Sequence, residues 1–414
     1  MIAQANFTIG NPVRTLHGED SIRQLPFLLD ELGMHNPLYL ISRSASTAGV
    51  TDLLALRSDV AGNQVIVSSR EISVDTVDRI VHAFHVGSFD GIIALGGGSI
   101  IDLAKIVKLL SAYPSDTRLS DLEGWALQHT RTTSPLIIIP TTIGTGSGAT
   151  RVAYLKRFDG TRMLRLDDPA LHGDVTIVDP KMSKAASSLQ TAMGIASILG
   201  RAFESLISIG TNVAVEQFAI QALSLVITHA YRVVHTPHDL ESRAAVSTAS
   251  QLAGIAFSQT GGSIAHALSI AMANGSEIPY GLAMWILLPH CLRFELQGGS
   301  ASATRMEELL GSSLEPESGL EGIDSASWIA RFLQGLTTGL SPTMPNRLYE
   351  VYDPRVQKRL LAPHQLEEVA LAALDSFDML TSRTKPNLRD LIRILEAAYW
   401  GYPSDNGTTE KPLR

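Results

Sequence analysis

The sequence predicts an α/β domain built on a parallel sheet, followed by an all-helical domain. In the first half, short apolar runs alternate with segments of helical spacing, which is typical of a parallel sheet covered by helices on both faces. After Pro180 the strand patterns stop, and long alanine- and leucine-rich helical segments follow. A chain of 414 residues is also long for a single core. We therefore predict two domains, at residues 1–180 and 181–414.

Each predicted element follows from its own local pattern. The strands are short apolar runs bounded by turn residues, and helical spacing defines the helices between them. Ser73 is a suitable N-cap for the first long helix. The predicted strands are residues 37–42, 63–69, 90–95, 134–142 and 174–180. The predicted helices are residues 73–87 and 99–110 in the first domain and 188–210, 212–234 and 388–400 in the second. We predict no strand after residue 181.

Composition excludes several classes of function. The formal charge of −8 and the pI near 5.8 argue against nucleic acid or an anionic membrane as a partner. No run of eighteen apolar residues predicts a membrane span, and the N-terminus lacks the pattern of a secretory signal. The single cysteine, Cys291, excludes an intrachain disulfide, and its apolar setting predicts an inert buried thiol. We expect a cytoplasmic protein that acts on a small molecule.

A glycine-rich turn is the strongest chemical signal. In the segment DGIIALGGGSIIDLAK, Gly96, Gly97 and Gly98 lie between a predicted strand and a predicted helix. Without Cβ atoms they let the backbone approach a ligand closely and adopt positive φ. Ser99 opens the helix and Asp102 lies in its first turn, where free N–H groups favour an anion such as a pyrophosphate. A tight turn without a ligand is the alternative.

A second loop follows the strand at 134–142. In the segment IPTTIGTGSGATRVAY, the hydroxyls of Thr141, Thr142 and Ser147 can hydrogen-bond to ribose or phosphate oxygens. Two such loops at strand ends place a ligand in the crevice at the carboxyl edge of the sheet. A polar loop that only closes the sheet edge is the alternative.

These two segments together resemble the iron-dependent alcohol dehydrogenase superfamily, which includes the maleylacetate reductases and is related to the dehydroquinate synthases. Residues 11–33 resemble the start of the maleylacetate reductase branch. The resemblance implies a dehydroquinate synthase-like fold, with a nicotinamide cofactor over the glycine turn and Ser99 and near Thr141 and Thr142. It also implies a substrate pocket between the two domains and a homodimer.

The metal site of the superfamily does not carry over. Its members hold a divalent metal with one aspartate and three histidines, and the corresponding positions here are Ser197, Arg201, His266 and Tyr280. One imidazole, a hydroxyl and a phenol make a poor divalent site, and a guanidinium repels a cation. We therefore predict no metal and assign these four residues to catalysis. For His266, a histidine buried in the core is the alternative.

Three further departures concern the coenzyme and the loop around it. Where the superfamily often has an acidic residue after the position of Ser42, this chain has Arg43. An arginine beside hydroxyls suits a 2′-phosphate, so NADP(H) is expected over NAD(H), with a solvated surface arginine as the alternative. Gly148 stands where the superfamily usually has glutamate, and the resemblance implies that Arg162 or Arg165 takes the place of a lysine near the cofactor.

The function that these observations favour is a metal-independent NAD(P)H-dependent reductase or dehydrogenase. It would act on a carbonyl or alcohol, and the arginine suggests a substrate that carries a carboxylate. Arg201 would take over the polarising role of the metal, and His266 or Tyr280 would deliver the proton. The first alternative is a redox-silent cyclase, isomerase or dehydratase of specialised biosynthesis that reuses the cleft. The second is a non-catalytic binding protein.

Overall fold

The computed structural model describes most of the chain. The described residues are 7–54, 63–68, 72–119, 133–156, 163–296, 306, 329, 333, 335–336, 339–341, 344–353 and 357–401.

A parallel sheet organises the first half of the described chain. Its strands and those of a hairpin are β1 (Arg14–His17), β2 (Pro37–Ser42), β3 (Gln64–Val67), β4 (Gly91–Gly96), β5 (Leu136–Pro140), β6 (Val152–Lys156), β7 (Met163–Asp167) and β8 (Val175–Val178). Six of them form one parallel sheet in the order β1-β8-β5-β4-β2-β3, while β6 and β7 pair antiparallel. The five strands predicted from apolar runs are confirmed. Strands β2, β4 and β8 are buried at every position and so are apolar nearly throughout, whereas β3 lies at the sheet edge and is only partly buried.

Helices cover both faces of this sheet. They are α1 (Leu25–Glu31), α2 (Arg43–Thr47), α3 (Val74–Val86) and α4 (Gly98–Leu110). Alternate residues of β2 divide between two cores: Leu40 packs with the α3 and α4 side, and Ile41 packs with the α1 side. Ser73 caps α3 as predicted, since its side chain accepts a hydrogen bond from Thr76 N. The sandwich of helices around a parallel sheet matches the predicted architecture.

The sequence patterns missed two features of this part. Strand β1 pairs with β8 at the sheet edge, and three of its four residues are exposed, so it carries no apolar run. The hairpin of β6 and β7 was also missed, because a short strand of mixed polarity lacks a clear period. The hairpin matters for function, since several of its residues line the cavity described below.

The second half of the described chain is helical. Its helices are α5 (Ser188–Ile207), α6 (Val213–His235), α7 (Leu240–Thr260), α8 (Ile264–Gly275), α9 (Tyr280–Glu295), α10 (Leu366–Leu374), α11 (Asp378–Thr381) and α12 (Leu388–Trp400). Polar caps start several of them; Ser187 and Gln190 form a capping box at α5, and Asn212 caps α6. Two antiparallel strands of two residues each, β9 (Tyr352–Asp353) and β10 (Lys358–Arg359), show that the expectation of no strand after residue 181 was wrong. Cys291 is buried in this helical core, as predicted.

Helix α6 is the one described helix whose length and composition would suffice to cross a membrane. It packs against α5 and α7, and its buried residues, among them Val215, Ala219, Ala222 and Val226, belong to the helical core. A helix buried in a protein core can have the same length and hydropathy as a membrane-spanning helix, so these two properties alone are weak evidence that α6 crosses a membrane.

Candidate active site

The glycine turn joins β4 to α4 with close packing on every side. Gly96 ends β4, Gly97 is the N-cap, and the helix begins at Gly98. A Cβ at Gly97 would lie 3.1 Å from Thr142 Oγ1, and one at Gly98 would lie 3.2 Å from Thr145 Cγ2. The glycines therefore let two loops meet, and the first N–H groups of α4 have no partner within the helix.

Three details of the predicted turn need correction. None of Gly96, Gly97 and Gly98 has positive φ, so close approach and not backbone conformation is the reason for glycine there. Ser99 is the second residue of α4 and does not open it. Asp102 is the fifth helical residue and so lies in the second turn. One of its carboxylate oxygens accepts a hydrogen bond from Tyr154 N at 3.2 Å, and burial raises its pKa.

The predicted cofactor residues follow adjacent strand ends. Ile41 pairs with Leu95 and Gly96 with Pro140, so β2, β4 and β5 end side by side. Thr141 N donates to Gly96 O at 3.0 Å, which fixes the second loop beside the glycine turn. On the other side of β4, Ser42 Oγ caps α2 by accepting from Ala45 N at 3.1 Å, and the exposed Arg43 is the first residue of α2.

A cavity of about 670 Å³ lies between this sheet edge and the helical half. Eight predicted site residues line it: Gly98, Ser99, Asp102 and Ser147 from the sheet side, and Ser197, Arg201, His266 and Tyr280 from the helical side. The remaining predicted cofactor residues, Gly96, Gly97, Thr141, Thr142, Ser42 and Arg43, lie along the sheet edge outside its lining. The structure thus brings the predicted catalytic residues together with the start of α4 in one space.

The loop at 143–149 connects the two halves through backbone contacts. Gly144 and Gly146 have positive φ, and a Cβ on Gly144 would lie 2.2 Å from Gly194 O of α5. Gly146 packs on Gly254 of α7 in the same way. Ser250 Oγ accepts hydrogen bonds from Gly144 N at 3.2 Å and from Gly146 N at 3.0 Å. Each of these two backbone contacts needs glycine on both of its sides. The loop is therefore fixed against α5 and α7.

Gly148, where the resemblance leads us to expect glutamate, is closely packed in the structure. A Cβ there would lie 2.9 Å from Thr176 Cγ2 and 3.5 Å from Gln251 Nε2. Thr176 Oγ1 also donates to Gly148 O at 2.9 Å. A glutamate side chain would therefore displace Thr176.

Arg201 and Ser197 lie one turn apart on the face of α5 that borders the cavity. Arg201 Nη1 donates to Gly144 O at 2.9 Å, and the guanidinium carbon lies 5.4 Å from the Phe257 ring centroid. Ser197 Oγ donates to Met193 O of its own helix at 3.0 Å. The guanidinium thus brings a fixed positive charge to the cavity, whereas the serine proton is committed to the backbone.

His266 is held between two phenols. Its Nδ1 lies 2.8 Å from Tyr280 Oη, and its Nε2 lies 2.9 Å from Tyr154 Oη. Burial lowers the pKa of His266 to about 4; Asp378 opposes this change, and Arg201 and Arg165 add to it. The imidazole is therefore neutral at pH 7, with one donor and one acceptor nitrogen. Burial also raises the pKa of Tyr280, and the Arg201 charge opposes that rise.

Tyr154 is a site residue that sequence reasoning missed. It lies on β6 and lines the cavity, and its hydroxyl hydrogen-bonds the Arg165 guanidinium as well as His266. Burial raises the pKa of Tyr154, and the nearby Arg165 opposes the rise. Arg165 also donates to Asp167 Oδ2 at 2.8 Å. It therefore lies beside Tyr154 and outside the cavity lining, which does not support its predicted place near the cofactor; Arg162 lies outside the described residues.

Three buried carboxyl groups support the start of α8. Glu204 Oε1 accepts from His266 N at 2.9 Å, and Asp378 Oδ1 accepts from Gly262 N at 3.1 Å. Glu295 accepts from the Ser263 hydroxyl. Burial raises the pKa of Glu204 and raises that of Glu295 to about 7. Glu204 satisfies one of the first N–H groups of α8, and Asp378 holds Gly262 two residues before the helix, so together they fix the position of His266.

Sequence comparisons with known proteins agree with this geometry. Residues 12–180 match the family model of the iron-containing alcohol dehydrogenases, and residues 191–399 match that of the Fe-containing alcohol dehydrogenase family, C-terminal. The chain belongs to the iron-containing alcohol dehydrogenase family. The predicted resemblance and fold class are thereby confirmed.

Individual known proteins are similar over much of the chain. The NAD-dependent methanol dehydrogenase of Bacillus methanolicus is 27% identical over 316 residues, which are 75% of this chain and 81% of that protein. The "Probable alcohol dehydrogenase EutG" of Escherichia coli K12 is 32% identical over 254 residues, which are 61% of this chain and 63% of that protein. The sulfoacetaldehyde reductase of Bifidobacterium kashiwanohense, solved with NAD⁺, has the same fold. Its TM-score is 0.80 at 20% identity, with coverage of 95% of this chain and 99% of that one. These relatives support the predicted dehydrogenase or reductase class.

The iron that gives this family its name does not fit the residues present. The Ser197 hydroxyl is bonded to its own helix, and Arg201 carries a positive charge at the position of a ligand. Both ring nitrogens of His266 are bonded to phenols. Nowhere in the described ranges do three or more histidine, cysteine or acidic side chains form a cluster suited to a metal. The donor set is thus that of a hydrogen-bonded polar site and not of a divalent metal centre.

Proposed function

We propose that this protein is a metal-independent NAD(P)H-dependent reductase or dehydrogenase that interconverts a carbonyl compound and its alcohol. The observation that carries the proposal is the shared cavity. One wall is the start of α4 at Gly98 and Ser99, and the other presents Arg201, His266 and Tyr280. An anion site beside a fixed cation and a phenol is the combination that such a reductase needs.

A dinucleotide fits the sheet side of the cavity. A Cβ at Gly97 or Gly98 would crowd the side chains of Thr142 or Thr145, and the free N–H groups of α4 can bind a pyrophosphate. The hydroxyl of Ser147 borders the same space, and the hydroxyl of Thr142 lies against the turn. When bound, the reduced coenzyme supplies a hydride to the carbonyl carbon.

Arg201 and Tyr280 then act on the carbonyl oxygen. As hydride arrives, negative charge develops on that oxygen, and the Arg201 guanidinium stabilises it in place of a metal. The Tyr280 hydroxyl donates the proton, because an alkoxide is a far stronger base than a phenolate. His266 is neutral at pH 7, so it is not itself the acid, and its hydrogen bond orients the Tyr280 hydroxyl.

The charges around the cavity also support a substrate class. Lys156 lines the cavity and is exposed, so a substrate carboxylate can pair with it while Arg201 acts on the carbonyl oxygen. Apolar side chains of Ile270, Phe257 and Met163 line the space between polar groups. We therefore propose a short carbonyl compound that carries a carboxylate.

Nucleotide binding without metal is the first test. Protein stripped of metal by a chelator is expected to bind NADPH in a calorimetric titration, because the glycine turn and α4 need no metal. Turnover of NADPH with an aldehyde is expected to be insensitive to added chelator. Failure to bind NADPH or NADH would contradict the proposal and favour a redox-silent enzyme. Activity that is lost with chelator and restored by ferrous iron or zinc would contradict metal independence.

Arg43 is proposed to select NADP(H). The Arg43→Asp variant is expected to shift the ratio of NADPH to NADH affinity by roughly 10- to 100-fold toward NADH, since it removes a charge-assisted contact and adds repulsion. The support is its place at the end of β2, next to the glycine turn, with the hydroxyls of Ser42 and Ser44 beside it. Titrations of both coenzymes measure the ratio, with Arg393→Asp on the exposed side of α12 as the control. An unchanged ratio would place Arg43 outside the coenzyme site.

A further inference from the structure

We infer that Tyr280, His266 and Tyr154 form a proton relay that carries protons between the substrate oxygen and the protein surface beside Arg165. This inference rests on the proposed function and assigns a role to Tyr154, which lies 112 residues from His266 in the chain. Tyr280 is the catalytic residue of the three, while His266 and Tyr154 act through it.

The relay is continuous in its hydrogen bonds. Tyr280 Oη lies 2.8 Å from His266 Nδ1, and His266 Nε2 lies 2.9 Å from Tyr154 Oη. The neutral imidazole has one donor and one acceptor, so one phenol donates to it while the other accepts. Exchange of the two tautomers reverses both bonds, and this is the step that moves a proton through the ring.

Each proton in the reduction direction has a source and a destination. Tyr280 transfers its proton to the substrate oxygen as the coenzyme hydride reduces the carbonyl carbon. The proton on His266 Nδ1 moves to the Tyr280 oxygen, and the Tyr154 proton moves to Nε2. A proton from solvent restores Tyr154, so the three side chains end with their original charge and the opposite tautomer. After the product leaves, Nε2 releases its proton through Tyr154 to solvent, Nδ1 takes the Tyr280 proton, and water in the cavity restores the Tyr280 hydroxyl, which resets the relay.

Charged groups at each end favour this direction of transfer. Arg201 is near Tyr280, and Arg165 hydrogen-bonds Tyr154 and stabilises negative charge there. Arg165 in turn pairs with Asp167, and their side chains are 13% and 22% exposed, which gives water access to this end. Asp378 and Glu204 face the centre from α11 and α5, and both are buried and bonded to backbone N–H groups. They fix α8 and do not interrupt the relay.

The Tyr154→Phe variant tests the relay by turnover. It keeps the ring and removes the hydroxyl, so kcat for NADPH oxidation with succinic semialdehyde is expected to fall by about 10-fold. KM for the aldehyde and affinity for NADPH are expected to stay unchanged, because Tyr154 donates through His266. The exposed Tyr231→Phe on α6 is the matched control. An unchanged kcat, or a change in KM alone, would overturn the relay.

A second measurement needs no substrate. Nitrogen-15 NMR of His266, assigned by comparison with His266→Gln, is expected to show two exchange-averaged ring nitrogens in the unaltered protein at pH 7. In Tyr154→Phe, the same nitrogens are expected to separate into one protonated and one unprotonated signal. One fixed tautomer in both proteins would overturn the relay. Absence of nucleotide binding would instead remove the proposed function, so the two failures are distinguishable.

Discussion

The Arg201→Met variant is expected to lose about 10²- to 10³-fold in kcat with any aldehyde that the protein reduces. Methionine keeps much of the side-chain volume but removes the positive charge that faces the developing oxyanion. The guanidinium also donates to Gly144 O and lies over Phe257, so thermal unfolding should be measured alongside activity. Arg393→Met, on the exposed side of α12, is the control for loss of an arginine.

A pair of aldehydes separates the two roles of Arg201. Succinic semialdehyde and butanal have chains of equal length, but only the first carries a carboxylate. If Arg201 polarises the carbonyl, kcat falls with both aldehydes. If it binds the carboxylate, KM rises with succinic semialdehyde alone and butanal is unaffected. If the Arg201→Met variant kept full kcat with both aldehydes, the result would contradict a catalytic role for Arg201.

The Tyr280→Phe variant is expected to lower kcat by about 10²- to 10⁴-fold, the usual range for removal of a positioned acid. The aromatic ring remains, and so does its edge contact with the His266 ring at 5.4 Å between centroids. Binding of NADPH is therefore expected to persist. Single-turnover oxidation of bound NADPH measures the loss directly.

Two comparisons make the Tyr280 result specific. Tyr231→Phe removes an exposed hydroxyl far from the cavity and should keep full activity. Tyr154→Phe should lose less than Tyr280→Phe, because Tyr154 acts only through His266. A Tyr280→Phe protein with normal turnover would remove the phenol from the reaction and leave the acid to another group.

The sequence predicted the scaffold well because its signals are local. Apolar runs predicted five strands, and the glycine turn predicted the start of α4 within one residue. The family resemblance then brought Ser197, Arg201, His266 and Tyr280 into one site. The structure places those side chains around a common cavity.

The features of the site that we did not predict from the sequence depend on contacts between segments that are distant in the chain. Tyr154 is a lone aromatic residue on a short strand, and only the folded chain brings it to His266. Glu204 and Glu295 lie in apolar helical segments, where no spacing shows that they face the start of α8. The expected positive φ of the glycine turn was wrong because close packing alone accounts for those glycines.

The paired glycines of the 143–149 loop have a consequence for motion. Gly144 against Gly194 and Gly146 against Gly254 bring main chains into direct contact, where no side chain can yield. Any rotation of the sheet half against the helical half would therefore pivot at this contact. Lys156 and the segment at 276–279 line the cavity from the two halves, so such a rotation would change the distance between them. Arg201, which donates to Gly144 O at this contact, would stay near the pivot.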